Sequence, residues 1–460
     1  MNKRKNTEMI RKDELNGPGV SYERAAVRLD FSRPGRPIKP LHGIGNSPLT
    51  LGKPLPEILE AGIPYTRLHD TGGAYGQNRF VDVPNIFRDF DADPSDPTAY
   101  DFAFTDAYLK GLVASGLKIV YRLGVTIENQ FDVKPMRIDP PKDFLKWARI
   151  CEGIINHYNN GWANGFHFNI EYWEIWNEPE QPSMWTGTME QFFDFYRTVA
   201  TYLKSKFHTL KFGGYPSSGF CAYSIGGDAA KNPKYQSFLT WFHEFFRFLA
   251  RTKTPCDFCS WHSYPFDINL LKVEAEYASR VLDENGFQDL EVILDEWNYQ
   301  DWHYEWKFDL MRSPEAACFV ASALCAMQSL RIDKAMYYDA NPSSLYCGLF
   351  DFTSGKPLPP YYSLRMFNEL YRLGTQAFSR SPENDRCYAL AATNGSTHAA
   401  LMTNLNTRDR ELALEVTGAV GAPRLFLLDR HHLYTPTQTI LLEASRILLP
   451  AQSVVLAIWK

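Results

Sequence analysis

Residues 117–124 (LKIVYRLG), 143–158 (DFLKWARICEGIINHY) and 170–179 (IEYWEIWNEP) follow one another in the first half of the 460-residue chain. The outer two are short apolar and aromatic runs, and the middle one repeats apolar residues at helical spacing, so the stretch reads as strand, helix, strand. Strands this apolar are buried on both faces and belong to a parallel sheet covered by helices. The same unit recurs along the chain. Further strands are predicted at KPLHGIGNS from Lys39, YTRLHD from Tyr65, LKFGGYP from Leu210, FCSWHSYP from Phe258, EVILDEWN from Glu291 and KAMYYDAN from Lys334, with helical patterns between them. Eight such strands predict an α/β fold, a closed (β/α)8 TIM barrel over residues 37–374, with the first helix its weakest element. An open sheet carrying a nucleotide would need GxGxxG after a strand or GxxxxGK[ST]; neither is present, and no cofactor is expected.

Outside the barrel, residues 375–460 carry short β runs such as CYALAAT, HAALMTNL and SVVLAIWK, punctuated by Asn, Gly, Pro and Asp. They predict a small C-terminal antiparallel β-sandwich. A lead-in strand in residues 24–36 has no other partner and is expected to join that sandwich. Residues 1–23 are a basic tail without the apolar segment of a secretory signal.

Hydrophobic content of 45%, charged content of 22% and a net charge of −5 exclude an electrostatic case for nucleic acid or a membrane surface. The most apolar run, residues 316–327, is too short to cross a bilayer. Eight scattered cysteines lack the spacing of a disulfide framework, which suits a reducing cytoplasmic location. Cys256 and Cys259 form one CxxC without a second, and His431 and His432 alternate across a strand, so neither pair is read as a metal site. The sequon at Asn394 is read as a hairpin turn.

In such a barrel the chemistry lies at the C-terminal ends of the strands. Strand two ends in Arg67-Leu68-His69-Asp70, strand four in Asn177-Glu178-Pro179, strand six in His262-Ser263-Tyr264 and strand seven in Asp295-Glu296-Trp297-Asn298. A lone glutamate at a strand end is ordinarily an ion-pair partner. Two of them among His, Tyr and Asn at one mouth are what glycosidic-bond cleavage requires, one carboxyl to protonate the leaving oxygen and one to attack or stabilise the oxocarbenium-like centre. The aromatic residues around Glu178 predict a buried, protonated acid, and Tyr264 predicts a hydrogen bond that keeps Glu296 anionic. Glu174 is expected to be structural, and Asp295, next to Glu296 on the pleat, to point into the barrel wall.

WEIWNEPE on strand four, LDEWN on strand seven, RLHD on strand two, SWHSYP on strand six and PPKDFLKW before the third helix resemble glycoside hydrolase family 39 of clan A. The resemblance implies a retaining double displacement with Glu178 as acid/base and Glu296 as nucleophile. It further implies contacts of Asn177 with the sugar 2-hydroxyl and of His69, His262 and Tyr264 around the glycone; Arg67, Trp297 and Trp302 are added as substrate-binding residues. Strand eight reads MYYDA where relatives often carry a tryptophan motif. The activity implied is that of a β-xylosidase-like exo-glycosidase acting on short oligosaccharides, with no metal. An α-L-arabinosidase, β-glucosidase or β-galactosidase on the same site is the alternative, and a non-catalytic carbohydrate-binding barrel is the alternative of another class. The partner expected is a small carbohydrate, with a homo-oligomer left open.

Overall fold

A computed structural model describes residues 25–50, 52–69, 81–126, 138–300, 308–342, 344–438, 440–442 and 445–460. The eight predicted barrel strands are Gly43–Gly45, Tyr65–Leu68, Lys118–Leu123, Tyr172–Ile175, Lys211–Gly214, Phe258–Ser263, Glu291–Trp297 and Lys334–Tyr337, numbered one to eight here. They form one eight-stranded parallel sheet in which each pairs with its neighbour in sequence and strand eight pairs with strand one. Strands five and six close the ring through a single bridge, Ser217 to Trp261, and a hydrogen bond from His262 N to Ser217 O of 2.8 Å. Close approach there depends on Gly213, where an added Cβ would lie 2.3 Å from Phe258 O.

Period two along these strands sorts the interior into layers. Tyr65, Val120, Tyr172, Phe258, Ile293 and Met336 form an apolar floor. Two residues further along, Arg67, Glu174, Ser260 and Asp295 form a polar layer in which every member is buried. The mouth lies beyond it. The first helix is a five-residue piece, Pro56–Glu60, matching its weak pattern, whereas later helices have defined starts: Asp143 caps Phe144–Asn160 and Thr188 makes a reciprocal capping box with Gln191.

The C-terminal residues form a ten-stranded sheet. Lead-in strand Ala26–Pro37 lies inside it, antiparallel to Thr375–Arg380 and parallel to Arg410–Thr417, so the sheet has one parallel pairing where an antiparallel sandwich was predicted. Its own core gathers Val27, Leu29, Met402, Leu414, Val455 and Trp459. It docks on barrel helix Pro314–Met327, where the Cys318 sulfur lies 3.2 Å from the carbonyl oxygens of both Asn404 and Ser453, its one S–H shared between them. Asn394 turns the hairpin between Cys387–Thr393 and His398–Asn404, its Oδ1 accepting from the amides of Ser396 and Thr397. All eight cysteines are unpaired thiols. No described helix is long and apolar enough to cross a membrane.

Candidate active site

The end of strand four leaves the barrel through two non-glycine residues with left-handed backbone, Trp176 at φ 70° and Glu178 at φ 42°. This conformation is uncommon and clusters at functional sites. Glu178 N donates to Pro216 O at 2.9 Å, fixing the turn against the loop after strand five. The glutamate side chain then reaches His262, whose Nδ1 lies 2.8 Å from Oε1.

Glu296 arrives by a different device. Alternation from Ile293 brings Asp295 inward, which would send Glu296 outward. The register against strand six instead jumps from Leu294–Trp261 to Glu296–His262, a bulge that inserts one residue and turns both carboxylates into the barrel. Asp295 therefore lies not in the wall but 2.9 Å from Arg67 Nε and 3.3 Å from His262 Nε2. The expectation of simple alternation failed because a bulge leaves no mark in the hydrophobic pattern.

Arg67 is the hub of the polar layer. Its guanidinium lies 2.6 Å from Glu174 Oε2, and donates to Glu296 Oε1 and Asn177 Oδ1 at 2.7 Å each. Tyr264 donates to the other Glu296 oxygen at 2.7 Å. Burial raises Glu296 above the ordinary carboxyl range even though His262 and Arg67 oppose it. Burial takes Glu174 up to about 8, against the opposing pull of Arg67 and the Ser260 hydroxyl. Asp295 goes the other way: burial works against its charge, but Arg67 and His262 hold it below the usual range. For His262, burial disfavours the cation, yet Glu296 and Asp295 together raise it well above its ordinary value. Arg67 and His262 thus face the three buried acidic side chains Glu174, Asp295 and Glu296 from within the layer.

Glu178 is less enclosed than its sequence context suggested. Its side chain keeps 21% of its surface exposed, against 6% for Glu296. The aromatic neighbours explain this difference: Trp176 is buried against Trp147 and Trp185, on the far side of the turn, and leaves Glu178 to the solvent-facing mouth. The enclosed carboxyl is Glu296.

His69 and Asn177 line the same cavity, of about 790 Å³, with Glu178, Glu296, His262 and Tyr264. His69 is held neutral by burial and by Arg122 and Arg67. Its Nδ1 accepts from Arg122 Nε at 3.1 Å, which leaves Nε2 protonated as a donor. Asp82 anchors that arginine at 2.6 Å. Arg67 lies beneath the cavity, touching it only through the groups it orients. Trp297 is fully buried and packs edge-on against Tyr337 behind the strand, away from the lining. Trp302 and Asp70 lie outside the described residues. Asp339, in the MYYDA segment, also lines the cavity and was missed; burial pushes it up to about 7, and it accepts from Asn46. The strand-end rule would have found it. Tyr338 and Tyr346, rings 5.2 Å apart, line the cavity with it and occupy the place of a tryptophan motif.

Glu178, His262 and Glu296 are the only group among the described residues whose ligand atoms, all within 4.8 Å of one another, have the spacing to hold a metal ion. His262 is a poor ligand: both ring nitrogens face carboxylates, and the favoured imidazolium has no lone pair to offer.

Arg67→Met is expected to destabilise the fold by about 3–5 kcal/mol, because three buried acidic side chains lose their shared cation. The same change removes a cation beside Glu296, favouring its protonated form. The acidic limb of the kcat/KM profile should therefore move to higher pH. Chemical denaturation and a pH-rate profile check the two effects separately.

The family model described as Glycosyl hydrolases family 39 matches residues 62–328. A beta-xylosidase of Caldicellulosiruptor saccharolyticus is 24% identical over 312 residues, 60% of this chain and 58% of that protein. A beta-xylosidase of Geobacillus stearothermophilus is 24% identical over 198 residues, 41% of this chain and 35% of that one. The chain therefore matches a little over half the length of the first relative and about a third of the second. Among solved structures, a glucosidase from Croceicoccus marinus superposes with a TM-score of 0.72 at 20% identity, covering 95% of this chain and 99% of the other, a likeness of fold.

Proposed function

We propose, from the premise that this chain belongs to glycosyl hydrolases family 39, that it is a retaining, β-xylosidase-like exo-glycosidase of the cytoplasm. The observation that carries the mechanism is the spacing of its two mouth carboxylates. Oxygens of Glu178 and Glu296 lie within 4.8 Å of each other, flanking His262 Nδ1. Retaining enzymes hold the pair about 5–5.5 Å apart, whereas inverting ones separate it by about 6.5–9.5 Å to admit a water.

In the first step Glu178 gives its proton to the glycosidic oxygen as the C1–O bond breaks, and a Glu296 oxygen bonds to C1. The leaving alcohol departs neutral. In the second step Glu178, now a carboxylate, takes a proton from water as that oxygen attacks C1 and Glu296 is released. Arg67 and Tyr264 hold one Glu296 oxygen each, which orients the carboxylate and stabilises it when it leaves. Asn177 has its carbonyl committed to Arg67, so its amide N–H groups are the ones available to a sugar hydroxyl. His69 lines the cavity with it.

The β-xyloside preference is supported by the two relatives bearing that name, and the cytoplasmic setting by the unpaired thiols. The glycone is tested by side-by-side hydrolysis of 4-nitrophenyl β-xyloside, β-glucoside, β-galactoside and α-L-arabinosides, with NMR of the first sugar released. The β-xyloside should be fastest and its first product β. A faster glucoside, galactoside or arabinoside reassigns the glycone, an α first product sinks the retaining mechanism, and no turnover on any of them points to a binding protein.

A further inference from the structure

We infer that the leaving-group side of this cavity is built for an apolar aglycone, an alkyl, aryl or polycyclic alcohol, rather than for a second sugar. The inference rests on the glycosidase reading above and concerns the other half of its substrate.

The acid/base residue identifies the leaving-group side, because the proton must reach the glycosidic oxygen. Glu178 is tied to the loop after strand five by its bond to Pro216 O. Two residues on, Glu180 accepts from Ser217 Oγ at 3.0 Å and from Ser218 N at 2.7 Å. Gly219, at φ 99°, brings this loop so close to strand six that a Cβ would lie 2.4 Å from His262 O. The segment that follows, helices Cys221–Ser224 and Gly227–Lys231 and the start of Pro233–Thr252, is thereby fixed beside the proton donor.

That arm and the loop after strand six bring a different chemistry from the strand ends. Where His69, Asn177, Tyr264 and Asp339 present polar atoms, the arm lines the cavity with Phe220, Ile225 and Phe238, and the loop adds Phe266 and Leu270. Leu345, after strand eight, lines it too and keeps 66% of its surface exposed, an apolar side chain with the cavity's occupant to cover it. The arm also brings Asp228, Asn232, Lys234 and Tyr235 to the cavity, the first three exposed at its solvent side, so the apolar wall is the part made by Phe220, Ile225, Phe238, Phe266 and Leu270. Asn232 accepts from Lys234 N at 3.0 Å as a helix cap, and the Lys234 ammonium lies 5.9 Å from the Phe238 ring centre.

A pyranose laid on those five apolar side chains would bury hydroxyls without partners, at a cost of about 1–3 kcal/mol each. A hydrocarbon body there gains about 25 cal/mol per Å². The volume of about 790 Å³ exceeds what one sugar ring needs and falls in the range of drug-sized ligand sites.

The test uses the glycone fixed by the chromogenic panel, presented to the whole enzyme as methyl, butyl and hexyl glycosides below their aggregation limits and as the disaccharide. Alkanols of this series leave equally poorly, so chain length reads binding rather than leaving-group chemistry. We expect kcat/KM to rise by roughly thirtyfold or more from methyl to hexyl and the hexyl glycoside to outrun the disaccharide. Ile225→Ser and Leu270→Ser, both half-buried positions, should each flatten that rise, lowering the hexyl-to-methyl ratio about tenfold. Aryl glycosides hydrolysed without a chain-length effect, or with the disaccharide preferred, would overturn this inference and leave the glycosidase reading standing. No hydrolysis of any aryl glycoside would instead overturn the reading it rests on.

Discussion

Glu296→Ala is expected to lower kcat/KM by roughly 10⁵-fold or more, and by the same factor for a dinitrophenyl glycoside as for a disaccharide. The nucleophile forms the bond to C1, so an easier leaving group cannot compensate for its loss. The variant should still fold, since Arg67 keeps Glu174 and Asp295, and His262 keeps Asp295 and Glu178. An unchanged circular dichroism spectrum would separate lost chemistry from lost structure. If the loss instead depended on leaving-group ability, Glu296 would be acting as the proton donor and the two roles would be exchanged.

Glu178→Ala should fail in a substrate-dependent way. A natural glycoside needs the proton, and its hydrolysis is expected to fall by about 10²–10⁴-fold. A dinitrophenolate leaves unaided, so Glu296 is still glycosylated, and the second step, lacking its general base, becomes limiting. Stopped-flow absorbance should show a burst of phenolate equal to the enzyme concentration, followed by a slow steady state. Azide needs no base to attack C1, and can enter the space vacated beside His262, where the histidine loses its 2.8 Å partner. It should restore turnover and yield a β-glycosyl azide from a β-glycoside. An α-azide or a burst-free progress curve would count against the double displacement.

Much of this site was legible because barrel strands declare themselves. An apolar run that stops on Asn177-Glu178-Pro179 or Glu296-Trp297-Asn298 marks the strand's mouth, and reading only those ends found Glu178, Glu296, His262 and Tyr264, which share one cavity. What stayed hidden depends on three-dimensional register. The strand-seven bulge places Asp295 and Glu296 on one face, and with it the cluster around Arg67 takes a form that period-two reasoning forbids. The placement of Trp297 behind the strand follows from the same shift. Enclosure was also misread at Glu178, because neighbouring aromatic residues in sequence need not be neighbours in space once the chain turns through left-handed conformations at Trp176 and Glu178. Burial of Arg67 and Arg122 could not be anticipated from composition; each is justified only by the carboxylates that the fold delivers to it.

The position of strand Ala26–Pro37 within the C-terminal sheet has a consequence for the life of the chain on the ribosome. Its partners, Thr375–Arg380 and Arg410–Thr417, are made after the entire barrel. At synthesis rates of about 5–20 residues per second, they emerge roughly 17–70 seconds later. Through that interval an apolar edge bearing Val27, Leu29 and Phe31 waits unpaired. Until Thr375–Arg380 emerges, directly after the last barrel helix, this edge is open to strand-to-strand association with a second nascent copy, a hazard that slower translation would lengthen.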